Sequence, residues 1–146
     1  MTGWIFDGKP FDPELIGNHY GFVYCIRDRE TGKRYIGKKC FRNTKTLKPL
    51  KGKTRKRKQV TDSNWREYFG SNETLKALVE KHGSERFERT ILRLCKTASE
   101  ASYFEAKLQF EYDVLLSDDY HNDLIMVRLN RSHLKSLKTP DRKKPL

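Results

Sequence analysis

YGFVYCIRDRETGKRYIGKKCF, residues 20–41, is the stretch whose reading decides the fold. Gly21-Phe22-Val23-Tyr24-Cys25-Ile26 is an aromatic and β-branched run. Arg27 to Gly32 is polar, and Lys33-Arg34-Tyr35-Ile36-Gly37 resumes the apolar beat. Two strand-like runs joined by a polar, glycine-containing connection predict a β-hairpin with a loop longer than two residues. On a period of two, Phe22, Tyr24 and Ile26 share one face of the first strand, with Val23 and Cys25 on the other. Tyr24 then lies next to Tyr35 or close to it, and Lys38 and Lys39 stand at the hairpin's exit.

Composition bounds what surrounds this hairpin. The 146 residues, 36% of them hydrophobic, suit one compact α/β domain with tails. Lys and Arg number 31 against 19 Asp and Glu, a net charge of +12, which favours a polyanionic partner, nucleic acid first among them. Cys25, Cys40 and Cys95 are an odd number without CxxC spacing, so reduced, packed thiols are expected rather than a disulfide frame or a zinc site. No signal peptide or membrane span is read: Trp4-Ile5-Phe6 is broken at once by Asp7, Gly8 and Pro10.

Three parts follow from the punctuation. Residues 1–19 are turn-rich and read as an arm laid across the domain, anchored by Trp4, Phe6, Phe11, Leu15 and Ile16. Residues 20–130 form the domain, with a basic loop over 44–60. Between Glu30 and Asp62 there is no acidic residue, while Lys45, Lys48, Lys51, Lys53, Arg55, Lys56, Arg57 and Lys58 crowd the interval. Such a block cannot bury itself; beside a polyphosphate each contact releases counterions. Arg42, Lys45, Lys53, Arg55, Lys56, Arg57 and Lys58 are therefore candidate DNA-backbone contacts, a nuclear import tag or a solvated loop being the other readings. Residues 131–146 are a basic tail with Pro140 and Pro145 that is expected to fray.

Within the domain, Thr61-Asp62-Ser63 caps a short helix over Asn64–Phe69. Asn72 or Ser71 caps a second helix with Leu75, Leu78 and Val79 on one face and Gly83 past its end. Arg86 to Cys95 alternates as a third strand pairing with the hairpin. Thr97 or Ser99 caps a long helix reaching about Leu116. Ser117–Asn122 is a loop, and Asp123–Asn130 is apolar and could be strand or helix. The order is β-β-α-α-β-α.

Gly21 to Tyr24 followed by Tyr35-Ile36-Gly37 resembles the signature of the GIY-YIG endonuclease superfamily, with Phe22-Val23-Tyr24 where Gly-Ile-Tyr would stand. The likeness is greatest to phage-borne, homing-type, Seg-like members. In these, YIGKK is followed by W-x-x-Y-x-GS, here Trp65 to Ser71, and by KHG-x-x-x-F, here Lys81 to Phe87 and on to Ile91-Leu92. The resemblance spans about Tyr20 to Asn122. It implies an α+β fold of the GIY-YIG type, a three-stranded antiparallel sheet flanked by helices.

It also implies a chemistry. Cutting a phosphodiester needs a nucleophilic water, stabilisation of developing charge and help for the departing oxygen. The family's metal-binding carboxylate matches Glu105, which would ligate a single Mg²⁺ (or Mn²⁺); Glu100 and Glu111 are rivals on the same helix, and a plain solvated Glu is the alternative. Tyr24 would be general base or would orient the water, its pKa lowered by Lys38, Lys39 or a nearby arginine. Tyr35 would hydrogen-bond the water or the phosphate. Arg66 is the candidate phosphate grip, with Arg42 and the basic loop competing, and Tyr68 stands where a His is often found. Asn122 matches the terminal Asn that holds the site together, Asn130 being the alternative. His82 reads as a helix cap, and His121 and His133 lack ligand spacing, so no transition-metal site is expected.

The implied function is a Mg²⁺-dependent endonuclease of phage or mobile-element homing type. It would act on double-stranded DNA as a monomer or weak homodimer in the cytoplasm, that of a bacterial host if phage-encoded. The rivals are a non-catalytic DNA-binding protein on the same fold and a restriction- or repair-type nuclease of the superfamily.

Overall fold

In the computed structural model, which describes residues 3–137, the chain opens with two short strands, β1 (Trp4–Phe6) and β2 (Lys9–Pro10). They pair antiparallel around Asp7-Gly8, both left-handed at φ 56 and 77°. Asp-Gly between paired residues is the sequence that tolerates positive φ at both turn positions. The segment that reads as a broken arm is thus a tight hairpin.

The central hairpin forms as expected, β3 (Gly21–Asp28) against β4 (Arg34–Cys40). Its loop is built by Asp28, whose carboxylate accepts the Glu30 and Thr31 amides and takes a bidentate pair from Arg86 at 2.8 Å each. Beyond β4 the basic stretch is not a plain loop. β5 (Arg42–Leu47) and β6 (Arg57–Asp62) pair over six residues as a separate two-stranded ribbon. Alternating Thr44 and Thr46, opposite Val60 and Lys58, give it the β-branched content that like charge alone would not suggest.

The helix expected over Asn64–Phe69 is a single 3-10 turn at Trp65–Glu67. Arg89 explains the stop: its Nη1 donates to the carbonyls of Arg66 and Tyr68, both at 2.9 Å, so those acceptors are withdrawn from any continuing helix. Helix α1 (Glu73–His82) is capped by Asn72, which accepts the Leu75 amide, and stops at Gly83 with φ 86°. β7 (Phe87–Cys95) pairs antiparallel with β3 and parallel with β1.

The sheet is therefore five-stranded and mixed, in the order β2-β1-β7-β3-β4. The antiparallel trio β7-β3-β4 lies inside it, and the expected three-stranded sheet is too small. The correction has a simple cause: β7 would otherwise be an unpaired edge, and Trp4-Ile5-Phe6 covers it.

α2 (Ala98–Glu111) is capped by Thr97, which accepts the Glu100 amide. It ends five residues before the expected Leu116, in a Schellman turn with Val114 N–H on the Gln109 carbonyl and Asp113 N–H on that of Phe110. Asp113 takes the left-handed position usually given to glycine, φ 51°, and Val114 returns to the core. Residues 123–130 are irregular, and Arg131–Leu134 forms a 3-10 turn. The end of the basic tail, residues 138–146, lies outside the described residues.

Each sheet face carries its own core. Trp4, Phe11, Phe22, Tyr24, Ile26, Phe41, Trp65, Leu75, Phe87 and Ile91 pack on the face covered by α1 and the Trp65 turn. Val23, Ile36, Cys95, Ala101 and Val114 pack on the face covered by α2. A bulge lets β7 serve both: Val23 faces Arg93 while Tyr24 faces Ile91, so Leu92 is the extra residue and the alternation flips there. Ile91 and Leu94 consequently point to the first core and Cys95 to the second.

Candidate active site

β4 lies at the edge of the sheet, and its outward main-chain groups need partners from elsewhere. Arg34 N–H donates to the Asp119 carbonyl and its own carbonyl accepts from His121 N–H. Ile36 is held by Asn122, whose side chain accepts the Ile36 amide at 3.0 Å and donates to the Ile36 carbonyl at 2.8 Å. Gln109 of α2 donates to the same carbonyl at 3.0 Å. The third outward amide, Lys38 N–H, lies close enough to the Glu105 carboxylate to favour its charged form. The same sheet edge thus binds Asn122 at Ile36 and has Glu105 beside Lys38.

Around that edge the two tyrosines of the hairpin meet. Tyr24 and Tyr35 have ring centroids 6.2 Å apart, and Tyr68 stands edge-on to Tyr24 at 6.0 Å. Their approach is possible because residue 37 is glycine: a Cβ there would sit 2.7 Å from Tyr24 Cζ and 3.0 Å from Tyr35 Cε1, and closer still to the Tyr24 hydroxyl. Tyr24 is 1% exposed, walled by Trp4 at 5.4 Å. The Tyr35 hydroxyl lies 3.3 Å from Ser71 Oγ. Lys39 sits over the Tyr68 ring at 4.2 Å, and Lys38 Nζ donates to Ser102 Oγ at 2.6 Å.

The electrostatics invert one expectation. Tyr24 was expected to be lowered by the neighbouring lysines; it is instead raised well above the ordinary phenol value. Burial is the main cause, followed by Tyr68 and Tyr35, with a hydrogen bond to Tyr68 and the Glu105 charge adding to it. Lys38 turns away to Ser102 and Lys39 to the Tyr68 ring, so neither cation offsets the desolvation. Tyr35 is raised as well, burial outweighing the hydrogen bond from Ser71. Both phenols are therefore neutral near pH 7 and keep their hydroxyl protons. Glu105 is pushed up by its half-buried position and pulled back by the Lys38 charge and amide.

The remaining candidates separate. Tyr24, Tyr35, Lys39 and Tyr68 come together, with the Glu105 charge acting on both Tyr24 and Tyr35 and Asn122 bonded to Ile36 of β4. Arg66 turns outward, stacking on Trp65 at 4.5 Å and approaching Asp62 at 3.9 Å. Arg42 donates to the Gly17 carbonyl at the foot of the ribbon, and Lys45, Lys53, Arg55, Lys56, Arg57 and Lys58 are exposed along it. Of Glu105's rivals, Glu100 is buried at the start of α2, where it accepts from Lys96 N–H and Ser136, and Glu111 is exposed at the other end. Asn130 caps the Arg131–Leu134 turn through His133. The three thiols are free, and Cys25 and Cys95 are each pushed up to about 11 by burial.

Two contributors escape a sequence reading. Ser71 sits in the W-x-x-Y-x-GS segment, but nothing in that segment marks its hydroxyl as Tyr35's neighbour. Arg89 reads as one more cation in a basic chain. It is 3% exposed, sandwiched between Trp4 at 4.6 Å and Phe69 at 4.2 Å, and pulled down to about 10 by burial. Through the Tyr68 carbonyl it fixes the turn that brings Tyr68 to Tyr24. Its only sequence signal is an arginine at an inward position of an otherwise apolar strand face, between Phe87 and Ile91.

Among the described residues no three His, Cys, Asp or Glu side chains gather to cage a metal. A single carboxylate beside phenolic hydroxyls is a donor set of hard oxygens. It fits a Mg²⁺-like ion that keeps most of its waters and takes substrate phosphate as a further ligand. It does not fit zinc. No described helix is long and apolar enough to cross a membrane.

The family model described as "Putative endonuclease segE, GIY-YIG domain" matches residues 4–125. The curated protein "Putative endonuclease segE" of Enterobacteria phage T4 is 29% identical over 103 residues, 70% of this chain. The match spans only 40% of that relative's length. No solved structure matches the chain significantly.

Proposed function

The chain belongs to the SegE-type GIY-YIG family, and from that premise we propose that it is a Mg²⁺- or Mn²⁺-dependent endonuclease hydrolysing phosphodiester bonds of double-stranded DNA. The observation that supports the reading is the packing of Tyr24 against Tyr35 over Gly37, with the Glu105 charge near enough to act on both phenols. A phage or mobile-element homing role in a bacterial host's cytoplasm, as a monomer or weak homodimer, is the setting we attach to it.

Glu105 would hold the ion, with the Lys38 amide and ammonium beside its carboxylate favouring the charged form. The ion, when bound, supplies Lewis-acid polarisation of a phosphate oxygen and charge stabilisation at the departing one. The neutral Tyr24 hydroxyl, beside the edge-on Tyr68 ring, would orient the attacking water within the aromatic wall. Tyr35, positioned by Ser71, donates to the water or to a non-bridging oxygen. Lys39, stacked over Tyr68, brings positive charge to the phosphate. Asn122 touches no reacting atom; it is a positioning residue, holding β4 so that Tyr35 and Lys39 keep their places.

Supercoiled plasmid with Mg²⁺ or EDTA tests this. Wild type is expected to nick or linearise only with Mg²⁺. Glu105→Gln and Tyr24→Phe are expected to lose about 100-fold or more in rate while retaining DNA binding. Undiminished cutting by either variant removes that residue from the mechanism. The outward turn of Arg66 favours one rival, a binding-only protein, and the same assay separates it: salt-sensitive retardation without cleavage.

A further inference from the structure

The β5–β6 ribbon stands apart from both cores, and every residue of its two strands is exposed except the half-buried Leu47. Its register sorts the side chains into two faces. On one, Asn43 lies opposite Thr61, Lys45 opposite Gln59, and Leu47 opposite Arg57. A ribbon meant to pack on its own domain carries an apolar face; here Leu47 is the only apolar residue on this one. Asn43 also accepts a hydrogen bond from Cys40 at 3.5 Å, so this face continues from the side of β4 that bears Lys38. From Arg42 to Asp62 there are nine Lys and Arg residues and a single carboxylate.

Dimension and charge select the occupant. Two strands lie about 4.8 Å apart, and with their side chains they fill the B-DNA major groove of about 12 Å, which admits a two-stranded ribbon. Six residues per strand at about 3.4 Å each cover a length of groove near six base pairs. Asn and Gln match the adenine N6/N7 pair, Lys donates to guanine O6/N7, and Thr serves either base. Four such residues share one face, two on each strand. The cations Lys53, Arg55 and Lys56, exposed in the connection between the two strands, add charge for phosphate contacts.

We propose that the ribbon enters the major groove of duplex DNA and reads base edges with Asn43, Lys45, Gln59 and Thr61. The basic tip contributes affinity without sequence information. That this reading directs a cut rests on the nuclease assignment above; the groove contact itself does not.

The test is selection from a randomised duplex library in EDTA, with wild type, Asn43→Ala, Gln59→Ala and the tip variant Lys53→Ala/Arg55→Ala. Wild type is expected to enrich a motif of a few adjacent base pairs. Each ribbon-face variant is expected to relax preference at one or two of them, by about 10-fold. The tip variant is expected to keep the motif, bind all sequences more weakly, and lower the salt slope by about one per charge removed. Protein should protect guanine N7 in the selected duplex from methylation, which reports the major groove. An unchanged motif in both ribbon-face variants, no motif in wild type, or an unprotected N7 would each overturn the proposal. Plasmid cleavage by wild type with Mg²⁺ is scored separately. A selected motif without cutting sinks the nuclease reading and leaves the ribbon standing, and cutting without a motif does the reverse.

Discussion

Gly37→Ala is the substitution that most directly tests the site's geometry. Gly37 sits in an ordinary strand conformation, so the change carries no left-handed strain, and a less flexible unfolded chain would by itself favour alanine by about 0.4–1 kcal/mol. The steric term runs the other way. The new methyl would lie 2.7 Å from Tyr24 Cζ, closer to its hydroxyl, and 3.0 Å from Tyr35 Cε1. Tyr24 has nowhere to retreat, with Trp4 at 5.4 Å on one side and Tyr68 at 6.0 Å on another. Overpacking of this kind costs about 1–3 kcal/mol, leaving a net loss of up to about 2.6 kcal/mol, read as a lower urea midpoint. A shift of about 1 Å in either phenol is worth about 100-fold in plasmid-cleavage rate. Adding Tyr24→Phe removes the closest contact and should restore part of the stability, a coupling of at least about 0.5 kcal/mol, without restoring cleavage. A Gly37→Ala protein with the wild-type urea midpoint and cleavage rate would refute the claim that the glycine creates the tyrosine pair.

Three further outcomes follow from the same structure. Asn122→Ala leaves the buried Ile36 amide without its acceptor, while Gln109 still serves the carbonyl. A loss of about 1–3 kcal/mol in urea unfolding is expected, and a loss below about 0.5 would count against it. Arg86, with the Glu30 and Thr31 amides, holds the Asp28 carboxyl well below the ordinary Asp range of about 3.9. Its stabilisation is therefore complete above that range and lost as pH falls through it toward the folded value. The urea midpoint should drop below about pH 5 and keep dropping past pH 3; Asp28→Asn should be about 3 kcal/mol less stable than wild type at pH 7 and converge on it in acid. Carboxyl NMR of metal-free protein should place Glu105 above ordinary Glu, and Lys38→Met, which removes the opposing charge, should move it higher; a downward move would be fatal to the electrostatic account.

The hairpin was legible because both of its signals are local: β-branched and aromatic content, and a period of two interrupted once. The same locality made Asn72, Thr97 and Gly83 readable as caps and ends. What the sequence hid depends on contacts between distant segments. Asp7-Gly8 is a hairpin turn only because Trp4-Ile5-Phe6 finds β7 to pair with, and three residues alone are too short to read as a strand. The Trp65 turn stops short because a residue 23 positions after Arg66 takes its carbonyl. The flip at Leu92 is invisible to a pattern that assumes unbroken alternation. The Tyr24 shift failed for a related reason: sequence places Lys38 and Lys39 nearby but not where their ammonium groups point. Glu105 is singled out by the family resemblance alone, since neither helical spacing nor charge distinguishes it from Glu111.

The edge position of β4 links these observations to the chemistry. An edge strand must find partners for its outward amides, and this chain supplies a loop backbone at residue 34 and an Asn side chain at residue 36, with the Glu105 carboxylate beside Lys38. The first two satisfy structure alone. A carboxylate facing a single amide keeps most of its lone pairs unused, so Glu105 retains the capacity to accept further partners while the loop and Asn122 hold the flanking strand. The glycine serves the phenols themselves: a side chain at residue 37 would occupy the space that Tyr24 and Tyr35 share on one face of the sheet.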